Sequence, residues 1–285
     1  MIKKVNRKSM LIRKSGRSTD FISPSFGFGC LLDCLYCYMK RHTNDNSLSI
    51  AKNVNQILSE INNHVMWLPE KESNQTDKKY WTYDISCNED FALHSKHHNW
   101  MMIFDFFVSH DRIKASFATK IVPYNFLEYN PHKKIRIRFS LMPQRLSDLL
   151  EPHSSKIEER IKAIDVFNKA GYEVHINYSP IVIYEGWIDD YIDLFNQVNK
   201  NVKIKDDVLC ECIFLTHNKS KHTENLLKNE LGESLLWKPS IQEDKRSEYG
   251  GENIRYKSSL KKKYIEKFKE IHKKTIPWNK IRYIF

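Results

Sequence analysis

A chain of 285 residues with 41% hydrophobic and 28% charged side chains can build one sizeable core and is too apolar for wholesale disorder. Lys and Arg (46) outnumber Asp and Glu (35), a net charge of +11, and no uncharged apolar run approaches the roughly 20 residues of a membrane span. Six irregularly spaced cysteines exclude a secreted disulfide scaffold, and the basic N-terminus lacks the apolar segment of a signal peptide; the expectation is a soluble, cytoplasmic protein with no membrane partner.

The charge is uneven. Residues 3–17 carry Lys3, Lys4, Arg7, Lys8, Arg13, Lys14 and Arg17 without an acid, and Arg255 to Arg282 holds eleven basic groups against Glu266 and Glu270. Two basic ends on a near-neutral middle suggest a polyanion partner; a solvated lysine-rich helix is the competing reading of the second run.

In chain order, apolar residues at Val54, Ile57, Leu58, Ile61 and Val65 predict a helix within Ile50 to Leu68. Tyr80 to Ser86 predicts a strand, the Trp100 region a helix, and Ile113 to Thr119 and Lys134 to Ser140 two more strands. Ser155 and Glu158 have the spacing of a capping box before the stripe Ile157, Ile161, Ile164 and Phe167, which Gly171 stops. Val174 to Tyr178 predicts a strand, Trp187 to Val198 a helix, and Val208 to Leu215 a strand. Strands separated by single helices imply βαβ units and a parallel sheet, an α/β fold. The expected division is a basic segment (1–21), the α/β body (22–240) and a basic C-terminal hairpin and helix (241–285).

In the strand Lys134 to Ser140, Ile135, Ile137 and Phe139 alternate with Arg136, Arg138 and Ser140. In an α/β barrel the apolar face meets the helices, so both arginines would point into the lumen, where they want an anion or a carboxylate. An open or partial barrel with a polar ligand inside meets that need. Cys210 and Cys212 share one face of their strand and suit the core, with a lumen-facing C-x-C as the alternative. His94, His97 and His98 suit a solvated face better than a metal site. Gly27 and Gly29 allow a tight entry to the loop that follows.

That loop carries the sharpest signal, Cys30-x3-Cys34-x2-Cys37. Three thiolates can hold a [4Fe–4S] cluster and leave its fourth iron open to an external ligand. A structural zinc site would want a fourth Cys or His, and His42 is the close candidate, poorly spaced.

With this motif at the head of a βα chain, the sequence resembles the radical S-adenosylmethionine (SAM) enzymes. That resemblance implies a partial (β/α)6 barrel of TIM type, a [4Fe–4S] cluster on Cys30, Cys34 and Cys37, and SAM on the open iron. From about residue 22 onward it resembles, more narrowly, the spore photoproduct lyase family, which reverses the methylene-bridged thymine dimer of ultraviolet-damaged DNA. The similar stretches are Cys34-Leu35-Tyr36-Cys37-Tyr38, Ser86-Cys87-Asn88-Glu89-Asp90, Thr119-Lys120, Arg138-Phe139-Ser140, Pro180-Ile181 and Glu185-Gly186-Trp187. The resemblance implies Cys87 as hydrogen-atom donor, Tyr36 and Tyr38 as a relay, and Asn88, Lys120, Arg138 and Ser140 at SAM. It also implies an Arg-Tyr contact to the lesion, for which Arg246 with Tyr249, or Arg255 with Tyr256, are the candidates. The expected partners are DNA and an electron donor such as flavodoxin or ferredoxin, with the chain acting as a monomer. Two other readings stand beside this one: a radical SAM enzyme that modifies thymine bases in DNA, and a non-catalytic, cluster- or zinc-stabilised nucleic-acid binder.

Overall fold

The computed structural model describes residues 2–41, 47–246 and 251–285. Its first half runs β1 (Ile2–Val5), β2 (Arg13–Lys14), β3 (Phe21–Ile22), β4 (Gly27–Phe28), β5 (Leu48–Ala51), α1 (Val54–Met66), β6 (Trp81–Asp84), α2 (Trp100–Ser109), β7 (Ile113–Thr119) and β8 (Ile135–Ser140). The second half runs α3 (Gln144–Leu150), α4 (Ile157–Lys169), β9 (Glu173–Ile181), α5 (Trp187–Asn201), β10 (Cys210–Phe214), β11 (Thr216–Asn218), α6 (Lys219–Leu227) and α7 (Glu233–Leu236). It ends with β12 (Gln242–Arg246), β13 (Glu252–Tyr256), α8 (Ser258–Thr275) and β14 (Ile281–Ile284).

The main sheet is ordered β2-β3-β6-β7-β8-β9-β10-β14, parallel throughout except where β2 turns back antiparallel on β3. It is a curled, partial TIM-type barrel. Its two ends meet through side chains: the Ser18 hydroxyl, just before β3, donates to Glu211 of β10 at 2.8 Å, and Arg282 of β14 donates to the Ser18 carbonyl at 2.8 Å. Both basic ends of the chain thus supply strands to this sheet, β2 at one edge and β14 at the other. Smaller sheets, β1-β5-β4 and β11-β13-β12, flank it.

The alternation in β8 sorts as its sequence requires. Ile135, Ile137 and Phe139 are fully buried under the helices, with the Phe139 ring edge-on to Phe167 of α4 at 5.5 Å. Each such side chain contributes about 1.5–3 kcal/mol of hydrophobic stabilisation. Cys210 and Cys212 are likewise fully buried in the outer core, and Glu211 between them faces the lumen. Helix α1 starts at Val54, the first residue of its expected stripe, because Ile50 belongs to β5, which pairs with β1 and β4. The α4 cap falls one residue later than the Ser155 spacing suggests: Lys156 N–H donates to Glu159 at 3.1 Å, while the Ser155 hydroxyl is occupied by the Val122 N–H at 3.2 Å. Gly171 does end that helix, at φ +93, where a Cβ would lie 2.0 Å from Asn130 Oδ1. Among the described residues no helix is long and apolar enough to cross a membrane.

Candidate active site

The cysteine loop is held by its backbone. Gly29 enters it at φ +105, with the Ser47 carbonyl 2.2 Å from where a Cβ would stand, so the turn requires glycine. Gly29 N–H donates to the Asn88 carbonyl (3.0 Å), Leu35 N–H to the Leu150 carbonyl (3.0 Å), and the Leu35 carbonyl accepts from Asn225 Nδ2 (2.7 Å). With its peptide groups engaged elsewhere, the loop presents three thiols, Cys34 buried and Cys30 and Cys37 half-buried. Burial pushes the Cys30 thiol up to about 12, with the Asp90 charge adding to it, and pushes Cys34 well up too. Thiolates therefore form here only against a strong positive charge. Among the described residues one trio of possible metal ligands, on other elements, gathers its atoms within 4.8 Å, and these cysteines are not it. Four sulfurs on one zinc ion stand about 3.8 Å apart. The wider spread of soft donors fits a multi-iron cluster and speaks against a single zinc ion. His42 lies outside the described residues.

Cys87 follows β6 at the C-terminal edge of the sheet, where barrel active sites lie. The cysteine loop grips its segment from both sides: at its start Gly29 bonds to the Asn88 carbonyl, and at its end the Tyr38 hydroxyl donates to the Cys87 carbonyl. Asn88 is anchored in turn by its amide to Ser25 Oγ. Burial and then the Asp84 charge push the Cys87 thiol up, against an Arg13 guanidinium nitrogen 3.7 Å from its sulfur. The group remains S–H. Two neighbouring carboxylates brace the segment. Asp90 accepts from the Thr119 hydroxyl and the Lys120 N–H, both at 2.9 Å. Glu89 is buried beside Gly27, whose absent side chain makes the room, and its Oε2 meets His94 at 3.0 Å and His98 at 2.8 Å. The histidines are thus buried partners of Glu89 and not a solvated face. Burial pushes the Glu89 carboxyl up, but His98 and His94 outweigh it and hold the group ionised.

Tyr36 points into a second network. Its hydroxyl donates to Glu151, which also accepts from Arg160 Nη2 at 2.8 Å, while Lys120 Nζ stands 4.0 Å away. Burial opposes charge on Glu151, yet Arg160 and Lys120 keep it a carboxylate, and Glu151 likewise keeps Lys120 a cation. Burial and then Glu151 keep Tyr36 a neutral phenol.

The two lumen arginines are met by the protein's own carboxylates, the second of the two kinds of partner expected for them, and need no external anion. Arg136 pairs with Glu173 (2.7 Å) and Asp77 (2.8 Å); Arg138 pairs with Asp84 (2.6 Å) and Glu211 (3.2 Å). Ser140 Oγ accepts from Asn177 at 3.2 Å and its carbonyl from Arg160 at 2.9 Å. Asp84, Glu151 and Glu211 therefore line the candidate site although no motif marks them, and Glu89 lies in a marked stretch that gave it no role. The signal for Glu211 was its place between two core cysteines, which forces it inward.

Of the lesion-contact candidates, Tyr249, like Glu248, lies outside the described residues. Arg246 is exposed at the end of β12, opposite Glu252. Tyr256 is buried, its hydroxyl accepting from Ile183 N–H at 2.8 Å, so it cannot reach a lesion; Arg255 beside it has a buried Nε without a partner. Arg17 and Lys261 cover the Phe285 ring at 4.0 and 4.4 Å, and Arg255 repels Lys261, so cations from both ends of the chain converge here.

The spore photoproduct lyase family model matches residues 4–285. The spore photoproduct lyase of Bacillus subtilis is 25% identical over 245 residues, 84% of this chain and 68% of that protein, and that of a Geobacillus strain is 21% identical over the same shares. A solved spore photoproduct lyase mutant with bound AdoMet and dinucleoside spore photoproduct superposes on the whole chain, and on 82% of its own, with a TM-score of 0.85 at 18% identity. A spore photoproduct lyase complexed with dinucleoside spore photoproduct gives 0.84, also at 18% identity. A barrel mouth that clamps a protonated cysteine against a three-thiol loop, on a chain matched almost from end to end, belongs to the spore photoproduct lyase family.

Proposed function

We propose that this radical SAM lyase reverses the methylene-bridged thymine dimer in DNA, with Cys87 returning the hydrogen atom that completes repair. The observation that carries this reading is the two-sided grip of the cysteine loop on the Cys87 segment, which sets a protonated thiol beside the radical source. It favours repair over base modification, which needs no such donor, and over a non-catalytic role.

Cys30, Cys34 and Cys37 would hold a [4Fe–4S] cluster, which together with SAM would supply the radical chemistry that opens the bridged thymine. Cys87 then gives its S–H hydrogen to the thymine radical left after the bridge breaks, becoming a thiyl. Tyr38, whose hydroxyl donates to the Cys87 carbonyl, would relay a hydrogen atom from 5′-deoxyadenosine back to that thiyl, so that neither residue stays oxidised and SAM is regenerated. Tyr36, whose hydroxyl donates to Glu151, would be the second member of that relay. Lys120 and Ser140 at the mouth, with Asn88, would meet SAM; Arg138, already doubly paired, orients Asp84 beneath Cys87. Arg17, Arg255 and Lys261 form the favoured phosphate contacts, with Arg246 farther out. The electron would come from a flavodoxin or ferredoxin, delivered to a monomer working in the cytoplasm.

The test is anaerobic reconstitution with iron and sulfide, followed by SAM, dithionite and the spore-photoproduct dinucleotide. Thymidylyl-thymidine is the expected product by mass. 5′-Deoxyadenosine without dimer reversal would overturn the substrate assignment while leaving the radical chemistry. Cys87→Ala should still break the bridge but yield misquenched thymine products; an unchanged product would remove Cys87 from the donor role.

A further inference from the structure

Behind the cysteine loop lies a group of side chains that this chemistry does not use. His217 comes from β11, His222 from α6 and Glu233 from the first turn of α7, and one ligand atom of each lies within 4.8 Å of the others. His217 Nε2 is 2.9 and 3.1 Å from the two Glu233 oxygens, and His222 Nδ1 is 2.6 Å from Oε1. The three side chains are only 0%, 13% and 5% exposed in that order. Burial of this kind is unusual for a mere surface ion pair.

The surroundings resemble an outer shell. Asn225 Nδ2 donates to Glu233 Oε2 and to the Leu35 carbonyl of the cysteine loop, while its buried Oδ1 has no partner. The His222 ring rests 5.3 Å from that of Trp237, which limits its rotation. The N-terminus of α7 is pressed against the same loop, since a Cβ on Gly232 would sit 2.9 Å from Leu35 and 2.8 Å from Leu150.

We propose that His217, His222 and Glu233 form a second metal site, for a divalent ion of the zinc type, independent of the three cysteines. Two imidazoles and a carboxylate are a borderline-soft donor set that suits Zn²⁺ and leaves a fourth position open. A water there would donate to the unpartnered Asn225 oxygen, and Asn225 is the outer-shell residue that links the ion to the Leu35 carbonyl. The ion would staple β11, α6 and α7 beneath the loop that carries the cluster. Its role is structural: retention of the cluster depends on it, and the hydrogen-transfer chemistry does not.

The test uses the holoenzyme with its iron–sulfur cluster reconstituted, so that the cysteines are occupied. Zinc is titrated in competition with a chromophoric chelator. One zinc per chain is expected beyond the cluster iron, with affinity reduced about 100-fold or more in His222→Ala and in Glu233→Gln, the range seen when metal-site contacts are lost. The Glu233→Gln chain keeps the shape and should show the same circular dichroism and initial iron content, but lose iron faster under chelation. Cobalt substitution supplies a readout independent of any variant: X-ray absorption should give only nitrogen and oxygen neighbours. Absence of bound zinc, affinity unchanged in both variants, or sulfur neighbours around cobalt would each overturn the proposal.

Discussion

The floor and the mouth of the barrel treat charge in opposite ways. On the floor, Arg136, Arg138 and Arg282 meet Glu173, Asp77, Asp84 and Glu211 directly, and Arg282 also reaches the Thr76 and Ser18 carbonyls at 2.8 Å. At the mouth the reactive groups, the Cys87 thiol and the Tyr36 phenol, are kept neutral by burial and by the Asp84 and Glu151 charges beside them. Groups that only hold shape can be ionised and mutually satisfied. A group that must give away a hydrogen atom has to keep it, and burial without a cation strong enough to strip the proton does that.

The sharpest way to break this contrast is at Glu211, which lies between Arg138 and Arg282. Glu211→Gln leaves two buried guanidinium groups short of their counter-charge and should cost about 3–5 kcal/mol in chemical unfolding. A loss below about 1 kcal/mol would mean that the floor tolerates unpaired charge and that the distinction fails.

His175 sharpens it next. Burial, with Arg136 nearby, outweighs the hydrogen bond that the ring donates to Glu173 and lowers this imidazole to about 3, so it is neutral in the folded barrel. Below about 6.5 the unfolded chain takes up a proton that the folded one refuses until about 3, so stability falls as pH drops through that window. Between pH 7 and 5 this histidine should account for roughly 2 kcal/mol of the decline. Carboxylates contribute little there, so His175→Gln should flatten the stability profile over that interval. An unchanged slope would show that the floor admits the proton.

How legible each region was follows from how its residues are patterned. The mouth announced itself because three cysteines at fixed spacing and short motifs on loops do not arise from packing. The outer face of β8 and the core role of Cys210 and Cys212 followed from alternation with a period of two. The floor was half legible: Arg136 and Arg138 pointed inward by the same rule, but Asp77, Asp84, Glu173 and Glu211 come from separate segments, and nothing local pairs them. His94 and His98 were misread for a similar reason. A polar run looks solvated until the fold tucks Glu89 against Gly27 and supplies the carboxylate that both need. Helix α4 kept its stripe and its glycine stop while its cap moved by one residue, because Val122 claims Ser155 from outside the segment.

The basic ends are where the contrast has its smallest and most useful consequence. Counting charge along the chain treats all eleven cations from Arg255 to Arg282 alike, but Arg282 is committed to the floor while Lys273 and Lys274 are exposed on the last turn of α8. Lys261 differs from both. It covers Phe285 opposite Arg17, is partly buried, and is pressed by Arg255 and Arg17, so three cations crowd together. Such crowding is unfavourable unless a polyanion relieves it. Removing Lys261 and Arg17 together by alanine should therefore reduce the salt slope of duplex DNA binding by about 1–2, whereas Lys273→Ala with Lys274→Ala should leave it nearly unchanged. Equal effects from the two pairs would mean that the charge acts as a diffuse field and that no phosphate is seated at Phe285.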